Sequence, residues 1–412
     1  MMPTSLESLG REVGQLARWP GDHSVWDVAV IGAGPAGATL AAHVASLGRR
    51  VLLFDRESFP REKVCGDGLI PDALGALERL GIMDEVAAAG HRASRVTVWS
   101  PSRIAVDVPG TFVTIKRVDL DALIAREAVR RGAVFVRARV VRLEPRGTDA
   151  VAVHLADGPG PVQARLAVLA TGADLSLARA ADPTVDDRPS AIALRCYVRS
   201  RATIDDLVVS YDRAILPGYA WIFPLGGGEY NVGCGLFYRS RRHGRVNLRD
   251  TFEAFTRNFP PAVELMAKAE STTPLRGARL RCSLDWLSLA ARPPVVAVGE
   301  TLGATFPFTG EGIGKAMETA EIAAATIGRA LDRDDLSLLH LLPLEIERAL
   351  KPRYLGYERA ESWMSYQWVA DQLARLARRR AIIRRAAAGI LNETVDPRAV
   401  FSLRGLLTAL FR

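Results

Sequence analysis

A glycine-rich segment near the start of the chain, from Asp27 to Gly37, has three glycines at the spacing G-x-G-x-x-G. Gly32 permits a tight turn, Gly34 lets the backbone approach a pyrophosphate, and Gly37 allows close contact between helix and strand. The N-terminus of the helix that follows faces the phosphate charge. Asp55 ends the next apolar run, where an acidic side chain accepts hydrogen bonds from ribose hydroxyls. These features together predict a dinucleotide site.

A second glycine loop, late in the chain, indicates which dinucleotide cofactor the protein binds. It runs from Pro307 to Ile313 with the sequence Pro-Phe-Thr-Gly-Glu-Gly-Ile, follows an apolar run and opens a long predicted helix. This order suits the far end of a long cofactor, where backbone amides at Gly310 and Gly312 approach a flavin ring. The positive end of the helix then favours the anionic reduced flavin. The predicted cofactor is therefore FAD.

Composition and charge exclude several classes of protein. The 412 residues are 49% hydrophobic and 24% charged, which excludes disorder, collagen-like repeats and a disulfide-dense miniprotein. The net charge is +8. Lys351 to Arg412 contains 12 basic and 5 acidic residues, so 12 − 5 = +7 of that charge lies in the tail. The nearly neutral body argues against a nucleic-acid groove.

Cysteines and apolar runs indicate where the protein works. The four cysteines include no Cys-x-x-Cys pair, so we predict no metal site and a reducing compartment. Residues 1–25 lack the order of a secretory signal. The run Val28 to Ala45 is interrupted by glycines, a proline and a histidine, and we predict no membrane span. We expect a cytoplasmic protein, with membrane association only through its basic tail.

The order of apolar runs predicts an α/β fold. A strand (Trp26–Ile31), a helix ending near Leu47 and a strand (Arg50–Asp55) make a βαβ start. A strand-rich block from Ala191 to Phe237 follows, and a late strand (Pro294–Gly299) and helix rejoin the first sheet. We predict a discontinuous Rossmann-type FAD-binding domain with an inserted antiparallel-sheet substrate domain and a C-terminal helical region.

The predicted domain boundaries follow from these elements. They are an N-terminal extension (1–25), the FAD-binding domain (26–95, 107–180 and 290–340), the substrate-binding sheet domain (96–106 and 181–289) and the basic helical region (341–412). The other predicted elements are strands at 96–106, 134–155 and 164–170, and helices at 5–19, 121–131 and 312–331.

Three motifs resemble those of the geranylgeranyl reductase family, FAD enzymes that share the fold of the para-hydroxybenzoate hydroxylase class of monooxygenases. Lys63–Leu69 matches the family pattern Lys-x-Cys-Gly-x-Gly-Leu, and Tyr219–Pro224 matches Tyr-x-Trp-x-Phe-Pro. The loop at 307–313 is the third. The resemblance covers roughly residues 26–410 and implies the same fold and cofactor.

The resemblance also implies roles for single residues. Cys65 lies near the flavin ring in this family, and its thiol donates a proton or positions an alkene. We expect Lys63 to lower the pKa of that thiol; the alternative is an inert buried cysteine. Arg117 approaches the cofactor in the family, but it also stands four residues before Asp121 and suits a structural pair. Arg56 either covers the adenine or is solvated.

Tyr219, Trp221 and Phe223 alternate along a predicted strand and therefore share one face. They form either an aromatic wall against an apolar substrate or an ordinary packed sheet face. The predicted catalytic residue is Cys65. The predicted cofactor-binding residues are Gly32, Gly34, Pro35, Ala36, Gly37, Asp55, Arg56, Arg117, Val140, Thr171, Gly172, Glu300, Gly310, Gly312 and Ile313. The predicted substrate-binding residues are Gly66, Tyr219, Trp221, Phe223 and Pro307.

These residues support three functional hypotheses. The first is reduction of carbon–carbon double bonds in an isoprenoid by hydride transfer from flavin N5. The second is a monooxygenase of a specialised metabolite acting through a flavin C4a-hydroperoxide, because Glu300 replaces the family's aspartate and Gly172 departs from the hydroxylases' Ala-Asp-Gly turn. The third is a non-catalytic flavin- or lipid-binding protein. The chain has no second G-x-G-x-x-G, so NADPH binds transiently or a partner reductase supplies electrons.

The basic tail has an apolar helical face. The residues on that face are Leu373, Leu376, Ile383, Ala387 and Ile390. Arginines at 378, 379, 384 and 385 lie largely elsewhere. The tail therefore either contacts an anionic membrane or a lipid diphosphate, or closes the domain with a solvated basic face.

Overall fold

The computed structural model describes residues 25–402 and 405, except 159, 217, 239–245, 286 and 291. The predicted N-terminal helix at 5–19 lies outside these residues. In chain order the strands are β1 (Trp26–Ile31), β2 (Val51–Asp55), β3 (Gly68–Leu69), β4 (His91–Trp99), β5 (Ala105–Thr114), β6 (Val134–Arg137), β7 (Val140–Pro145), β8 (Val151–Leu155), β9 (Val162–Leu169), β10 (Ala191–Ser200), β11 (Leu207–Ser210), β12 (Tyr219–Gly226), β13 (Glu229–Phe237), β14 (Ala269–Thr272), β15 (Arg276–Leu280) and β16 (Val295–Ala297).

Helices flank both sheets and form the end of the chain. The α-helices are α1 (Pro35–Ser46), α2 (Pro71–Leu80), α3 (Met83–Ala89), α4 (Arg117–Arg130), α5 (Ser176–Ala181), α6 (Leu248–Asn258), α7 (Pro260–Ala267), α8 (Ile313–Asp332), α9 (Leu342–Met364), α10 (Gln367–Arg379), α11 (Ala381–Leu391) and α12 (Pro397–Val400). Short 3-10 helices occur at Arg213–Ile215, Leu287–Ala290, Gly299–Leu302 and Leu336–Leu341.

The first sheet has the order β6-β2-β1-β9-β8-β7, and β16 also pairs with β9. The pairs β6–β2, β2–β1, β1–β9 and β9–β16 are parallel, whereas β8 is antiparallel to β9. The parallel strands are mostly buried, as parallel strands usually are. Helix α1 packs against α8 and α4 over this sheet. Because β16 rejoins the sheet after the second sheet is complete, the predicted α/β fold with a discontinuous FAD-binding unit is confirmed.

The second sheet has the order β14-β10-β13-β12-β11-β4-β5-β3, with β15 also on β10. It includes β3 and the whole of β5, which pairs with β4 as far as Thr114. The predicted boundary between residues 106 and 107 was therefore wrong, because it cuts a strand. The alternation of buried side chains continues past that point through Val108 to Phe112. The predicted strand 134–155 is three strands, and the helix predicted at 121–131 begins at Arg117.

Registered neighbours across the second sheet point to the same face. One row crosses six strands from a charged residue through an aromatic residue to aliphatic residues. It consists of Arg195, Gly233, Trp221, Val209, Val98 and Val106. The face is therefore polar at its β10 end, aromatic at β12 and aliphatic at β11, β4 and β5.

The C-terminal helices cover the aliphatic end of this face. Ala374 and Ala377 of α10 and Ala388 of α11 pack in one cluster with Val96, Val108 and other residues of the strands. The outer sides of the same two helices carry exposed arginines. Among the residues that the structure describes, no helix is long and apolar enough to cross a membrane.

A buried carboxylate attaches α10 to the second sheet. Asp371 accepts hydrogen bonds from Ser100 Oγ at 2.7 Å, and from Ser102 N and Oγ at 2.8 and 2.6 Å. Both serines belong to the turn between β4 and β5. Arg213 lies 3.5 Å from the same carboxylate. Asp371 therefore holds the helical cover over the aliphatic part of the sheet.

We expect Asp371→Ala to lower the free energy of unfolding by about 3 kcal/mol, because a charged acceptor and its three donors lose their bonds in a buried place. Chemical denaturation measures this loss. Glu347→Ala is the control: it removes an exposed ion pair with Lys351, which is worth less than about 1 kcal/mol. Equal losses of unfolding free energy for the two substitutions would contradict the role of Asp371 in holding α10 on the second sheet.

Candidate active site

One cavity of about 1030 Å³ extends from the glycine turn to the face of the second sheet that changes from polar to aliphatic, which we call the graded face. All the predicted site residues line it except Gly37 and Pro307. Gly37 lies behind the turn, where a Cβ atom would stand 1.8 Å from the carbonyl oxygen of Gly32. Pro307 was predicted to bind substrate, but the chain turns after it and Phe308 lines the cavity instead. The cavity thus brings together two glycine loops that are far apart in the sequence.

The first glycine turn has the geometry of a phosphate cradle. Gly32 has a positive φ of 103°, and a Cβ atom there would lie 2.3 Å from the carbonyl oxygen of Ala170. Asp55 is buried and accepts hydrogen bonds from the backbone amides of Ala33 and Glu57, both at 3.0 Å. The turn and the carboxylate therefore stabilise each other. A ribose contact by Asp55 stays a prediction.

The middle of the cavity has a second carboxylate. Glu300 Oε1 accepts a hydrogen bond from the backbone amide of Arg281 at 3.3 Å. Burial raises the pKa of Glu300, while Lys63 lowers it. A Cβ atom on Gly172 would lie 3.3 Å from Glu300 Oε2, so the carboxylate approaches this part of the chain closely. Gly172, Thr171 and Val140 line the cavity beside it.

The residues present fit FAD. The turn at Gly32 and Gly34 suits a diphosphate, and carboxylates at Asp55 and Glu300 suit hydroxyl groups along an extended ligand. The second loop reaches the aromatic strand, where Tyr219 Oη donates a hydrogen bond to the carbonyl oxygen of Thr309 at 3.3 Å. A flat ring between this loop and the second sheet would have backbone amides at one edge and aromatic side chains at another.

The Cys65 loop lies on the aromatic strand. A Cβ atom on Gly66 would be 3.6 Å from both Trp221 and Phe223. Asn231 of β13 donates from Nδ2 to the carbonyl oxygen of Cys65 at 2.8 Å. Trp221 Nε1 donates to Asn231 Oδ1 at 2.9 Å. The strand pair β12 and β13 therefore fixes the loop in front of the cavity.

Asp67 holds the same loop from the other side, and the sequence reasoning missed it. Its carboxylate accepts hydrogen bonds from Tyr197 Oη and Asn231 Nδ2, both at 2.8 Å, and from Arg117 N at 3.3 Å. Burial raises the pKa of Asp67 to about 6 despite these donors. The sequence did offer one sign of its importance, because Asp67 stands between Cys65 and Gly68 within the motif of this loop.

The Cys65 thiol is half-buried at the cavity wall. Burial raises its pKa, and the neighbouring Arg117 guanidinium only partly offsets that effect. The prediction that Lys63 lowers the pKa was wrong, because desolvation outweighs the cations. The thiol is therefore protonated at neutral pH. This state suits a proton donor rather than a nucleophile.

Arg117 fulfils the structural prediction and also lines the cavity. Its Nε and Nη2 donate to the two carboxylate oxygens of Asp121 at 2.5 and 2.8 Å. The guanidinium lies between this carboxylate and Cys65. Arg56, in contrast, is exposed at the cavity rim and lies 3.4 Å from Asp174.

Tyr219, Trp221 and Phe223 form a continuous row, with ring centroids 5.7 Å and 6.3 Å apart. All three line the cavity. Trp221 lies over Gly233 of the next strand, where a Cβ atom would come within 2.2 Å of its ring. The row is therefore both a packed sheet face and a wall of the cavity.

Beyond the aromatic row the cavity becomes an apolar chamber. Its lining from the sheet comprises Val96, Val98, Val108, Phe112, Leu207 and Val209. Its lining from the C-terminal helices comprises Ala360, Met364, Ala387, Ile390, Leu391 and Phe401. This part of the lining is apolar, and it belongs to the same cavity as the loops that carry Cys65 and Gly310.

The other cysteines, at 196, 234 and 282, are buried and do not line the cavity. Among the residues that the structure describes, no group of three His, Cys, Asp or Glu side chains is arranged to hold a metal ion.

The chain is similar to known proteins along most of its length. The family model "Lycopene cyclase protein" matches residues 27–187. Menaquinone reductase of Mycobacterium tuberculosis is 33% identical over 332 residues, which cover 76% of this chain and 78% of that protein. Digeranylgeranylglycerophospholipid reductase of Methanosarcina acetivorans is 28% identical over 330 residues, again 76% and 78%.

The fold is also that of a solved structure. A geranylgeranyl bacteriochlorophyll reductase-like protein from Thermoplasma acidophilum superposes with a TM-score of 0.74, covering 94% of this chain and 96% of that chain at 20% identity. The resemblance expected from the motifs is thereby confirmed for both sequence and fold.

The raised pKa of Cys65 predicts slow alkylation. With excess iodoacetamide at pH 7 we expect Cys65 to react more slowly than an ordinary exposed cysteine, with a rate that still increases above pH 9, because only the thiolate reacts. Mass spectrometry of the labelled peptide measures the rate of alkylation at Cys65, and Cys65→Ser is the control for labelling elsewhere. A rate that already levels off near pH 7 would contradict the protonated state.

Proposed function

This chain belongs to the geranylgeranyl reductase family of FAD-dependent oxidoreductases, and we propose that it reduces carbon–carbon double bonds in the prenyl chain of a lipid. The observation that supports this most is the apolar chamber, which lies between the second sheet and the C-terminal helices and ends at the Cys65 and Gly310 loops. Such a chamber accommodates a long hydrocarbon chain and excludes water from the reacting carbons.

Each part of the site has a proposed task. When bound and reduced, FAD supplies a hydride from N5. Trp221 and Phe223 hold an alkene segment flat against the ring position, and Gly66 gives this segment room. The neutral Cys65 thiol lies where a proton donor or a positioning group is needed. The Arg117 guanidinium beside the thiol would stabilise the thiolate that remains after a proton leaves.

The names of two relatives support a prenyl lipid as the class of substrate. One is named for menaquinone and the other for a digeranylgeranylglycerophospholipid. Both substrates carry a polar head and a polyprenyl chain. The graded face of the second sheet suits this amphiphilic form, because Arg195 lies at its polar end and Val98 at its aliphatic end. We propose a polyprenyl lipid with such a head.

The electron source is a separate proposal. NADPH binds transiently, or a partner reductase delivers electrons, because the chain has no second G-x-G-x-x-G.

The basic tail is the proposed contact with a membrane. No acidic residue occurs between Asp371 and Glu393. Trp368 has 70% of its surface exposed on α10, whose outer side also carries Arg375 and Arg379. Exposed aromatic and cationic side chains favour the surface of an anionic bilayer. Since α10 and α11 also cover the chamber, a prenyl lipid would pass from bilayer to chamber over a short path.

An anaerobic half-reaction tests the reductase function. Enzyme reduced with stoichiometric dithionite is mixed with a prenyl phospholipid in detergent, because a quinone head group would itself oxidise the flavin, and the flavin absorbance is followed. We expect the flavin to reoxidise without oxygen while mass spectrometry finds the lipid two hydrogens heavier. The saturated form of the same lipid is the matched control and should leave the flavin reduced.

Two other outcomes would contradict this function. If a parallel sample in air yields an oxygenated product and the anaerobic sample yields none, the protein is the monooxygenase of the second hypothesis. If the lipid binds and neither sample changes, the non-catalytic hypothesis replaces the reductase.

Vesicle sedimentation tests the membrane contact. We expect stronger binding to vesicles that contain phosphatidylglycerol than to pure phosphatidylcholine, and a decrease with added salt. The double variant Arg378→Glu and Arg379→Glu should weaken binding roughly tenfold or more, since each cation near an anionic surface contributes about 1 kcal/mol. Arg249→Glu with Arg257→Glu on α6 gives the same change in charge elsewhere. Equal losses in both double variants would contradict a defined surface.

A further inference from the structure

Glu311 is a buried carboxyl group in the cavity wall that the proposed chemistry does not yet use. It stands between Gly310 and Gly312 in the second glycine loop and lines the cavity. Its Oε2 is buried and has no hydrogen-bond partner among the residues that the structure describes. Glu311 therefore lines the cavity without a hydrogen bond that would commit this oxygen to the fold.

Aromatic side chains line the cavity together with Glu311. Phe308 stacks on Tyr211 at 5.6 Å, and both line the cavity beside it. Tyr357 of α9 also lines the cavity, and its hydroxyl is buried without a partner in the described part of the chain. Burial raises the pKa of Tyr211, and Glu311 raises it further. Neither phenol is therefore ionised near neutral pH.

The nearest cation is already occupied by other carboxylates. Lys315 of α8 is fully buried and pairs with Glu318 at 2.5 Å, Glu393 at 2.7 Å and Asp72 at 3.4 Å. Glu393 also binds Arg353 at 2.6 Å. Lys315 is thus shared among three acids and cannot fully neutralise a fourth.

These surroundings favour the protonated form of Glu311. Burial raises its pKa well above the ordinary value, and the carboxylates of Asp72 and Glu393 raise it further, against smaller opposing effects of Lys315 and of the Thr309 hydroxyl. A neutral carboxyl beside an apolar chamber is the state that a general acid requires.

We propose that Glu311 is the acid that protonates the substrate alkene during reduction; this inference rests on the proposed reductase function. In the step, the π bond of the alkene breaks and two C–H bonds form. One carbon receives the hydride and its electron pair from reduced flavin, which is oxidised by two electrons. The other carbon receives the proton of Glu311. The carboxylate left behind regains a proton from water when the product leaves.

The position of Glu311 supports this assignment. It lies on the loop that meets the aromatic row, because a Cβ atom on Gly310 would stand 2.7 Å from Tyr219 Oη. The Cys65 loop lies on the same row at Gly66. An alkene held along the row would therefore have acids at two loops. In this scheme Cys65 positions the alkene and Glu311 supplies the proton.

Glu311→Gln tests the proposal because glutamine keeps the shape and removes the acidic proton. We expect the reduction of FAD by dithionite to be unchanged and the anaerobic reoxidation by prenyl lipid to slow by roughly 100-fold or more, the usual contribution of a general acid. The wild-type rate should decrease as pH rises through the raised pKa of Glu311, and the variant should lose this decrease. Glu318→Gln, which changes a carboxylate on Lys315 outside the cavity, is the control.

Infrared spectroscopy gives a readout that does not depend on turnover. We expect the wild-type protein at pH 7 to show the carbonyl band of a protonated carboxyl group that is absent in Glu311→Gln and retained in Glu318→Gln. Absence of the band from the wild type would overturn the proposal even if the variant failed to bind FAD.

The outcomes separate the two proposals. A wild type that is not reoxidised by any prenyl lipid contradicts the reductase function itself. A wild type that is reoxidised, together with a Glu311→Gln variant of equal rate and unchanged pH profile, contradicts only the role of Glu311 and leaves Cys65 as the proton donor.

Discussion

The buried carboxylate of Asp67 is the constraint on which the site depends. It joins three segments that are remote in the sequence: Tyr197 on β10, Asn231 on β13 and the start of α4 at Arg117. Two of these belong to the second sheet, and the third begins a helix that packs on the first. One group thus connects the second sheet, the Cys65 loop and the start of α4. An unpaired carboxylate here would be costly, so all three donors are needed.

The second sheet presents a face whose side chains change from polar through aromatic to aliphatic along one row. Its strands are in register, so Arg195, Trp221 and Val98 lie in one row although more than 90 residues separate the first and the last. The Asp67 network lies at the polar end, and the helices fixed by Asp371 cover the aliphatic end. A ligand therefore meets polar, aromatic and apolar side chains in sequence. A flat ligand could use the middle alone, whereas a long amphiphile uses the whole row.

Local features could be predicted from the sequence, and contacts across the sheets could not. The turn at Gly32 and the helix after Gly312 each depend on residues close together in the chain. The role of Asn231 depends on a contact 164 positions away, for which no periodicity gives a signal. The domain boundary was wrong for a related reason: β5 joins the second sheet through pairing with β4, which the apolar pattern alone does not reveal. The aromatic row was predicted because alternation on one strand is local.

The predicted direction of the pKa shift of Cys65 was wrong in a more instructive way. Counting charges predicts a lowered pKa, because Lys63 stands two positions away in the sequence and the Arg117 guanidinium acts on the thiol in the structure. Burial has the larger effect, and its sign is opposite. The pKa of Glu311 is raised for the same reason, because the one nearby lysine, Lys315, does not compensate for desolvation. A chamber that is dry enough to hold a prenyl chain also keeps acids protonated at its wall, since both follow from the exclusion of water. In the proposed reaction, the apolar lining that would select a prenyl substrate would therefore also keep the proton donor protonated.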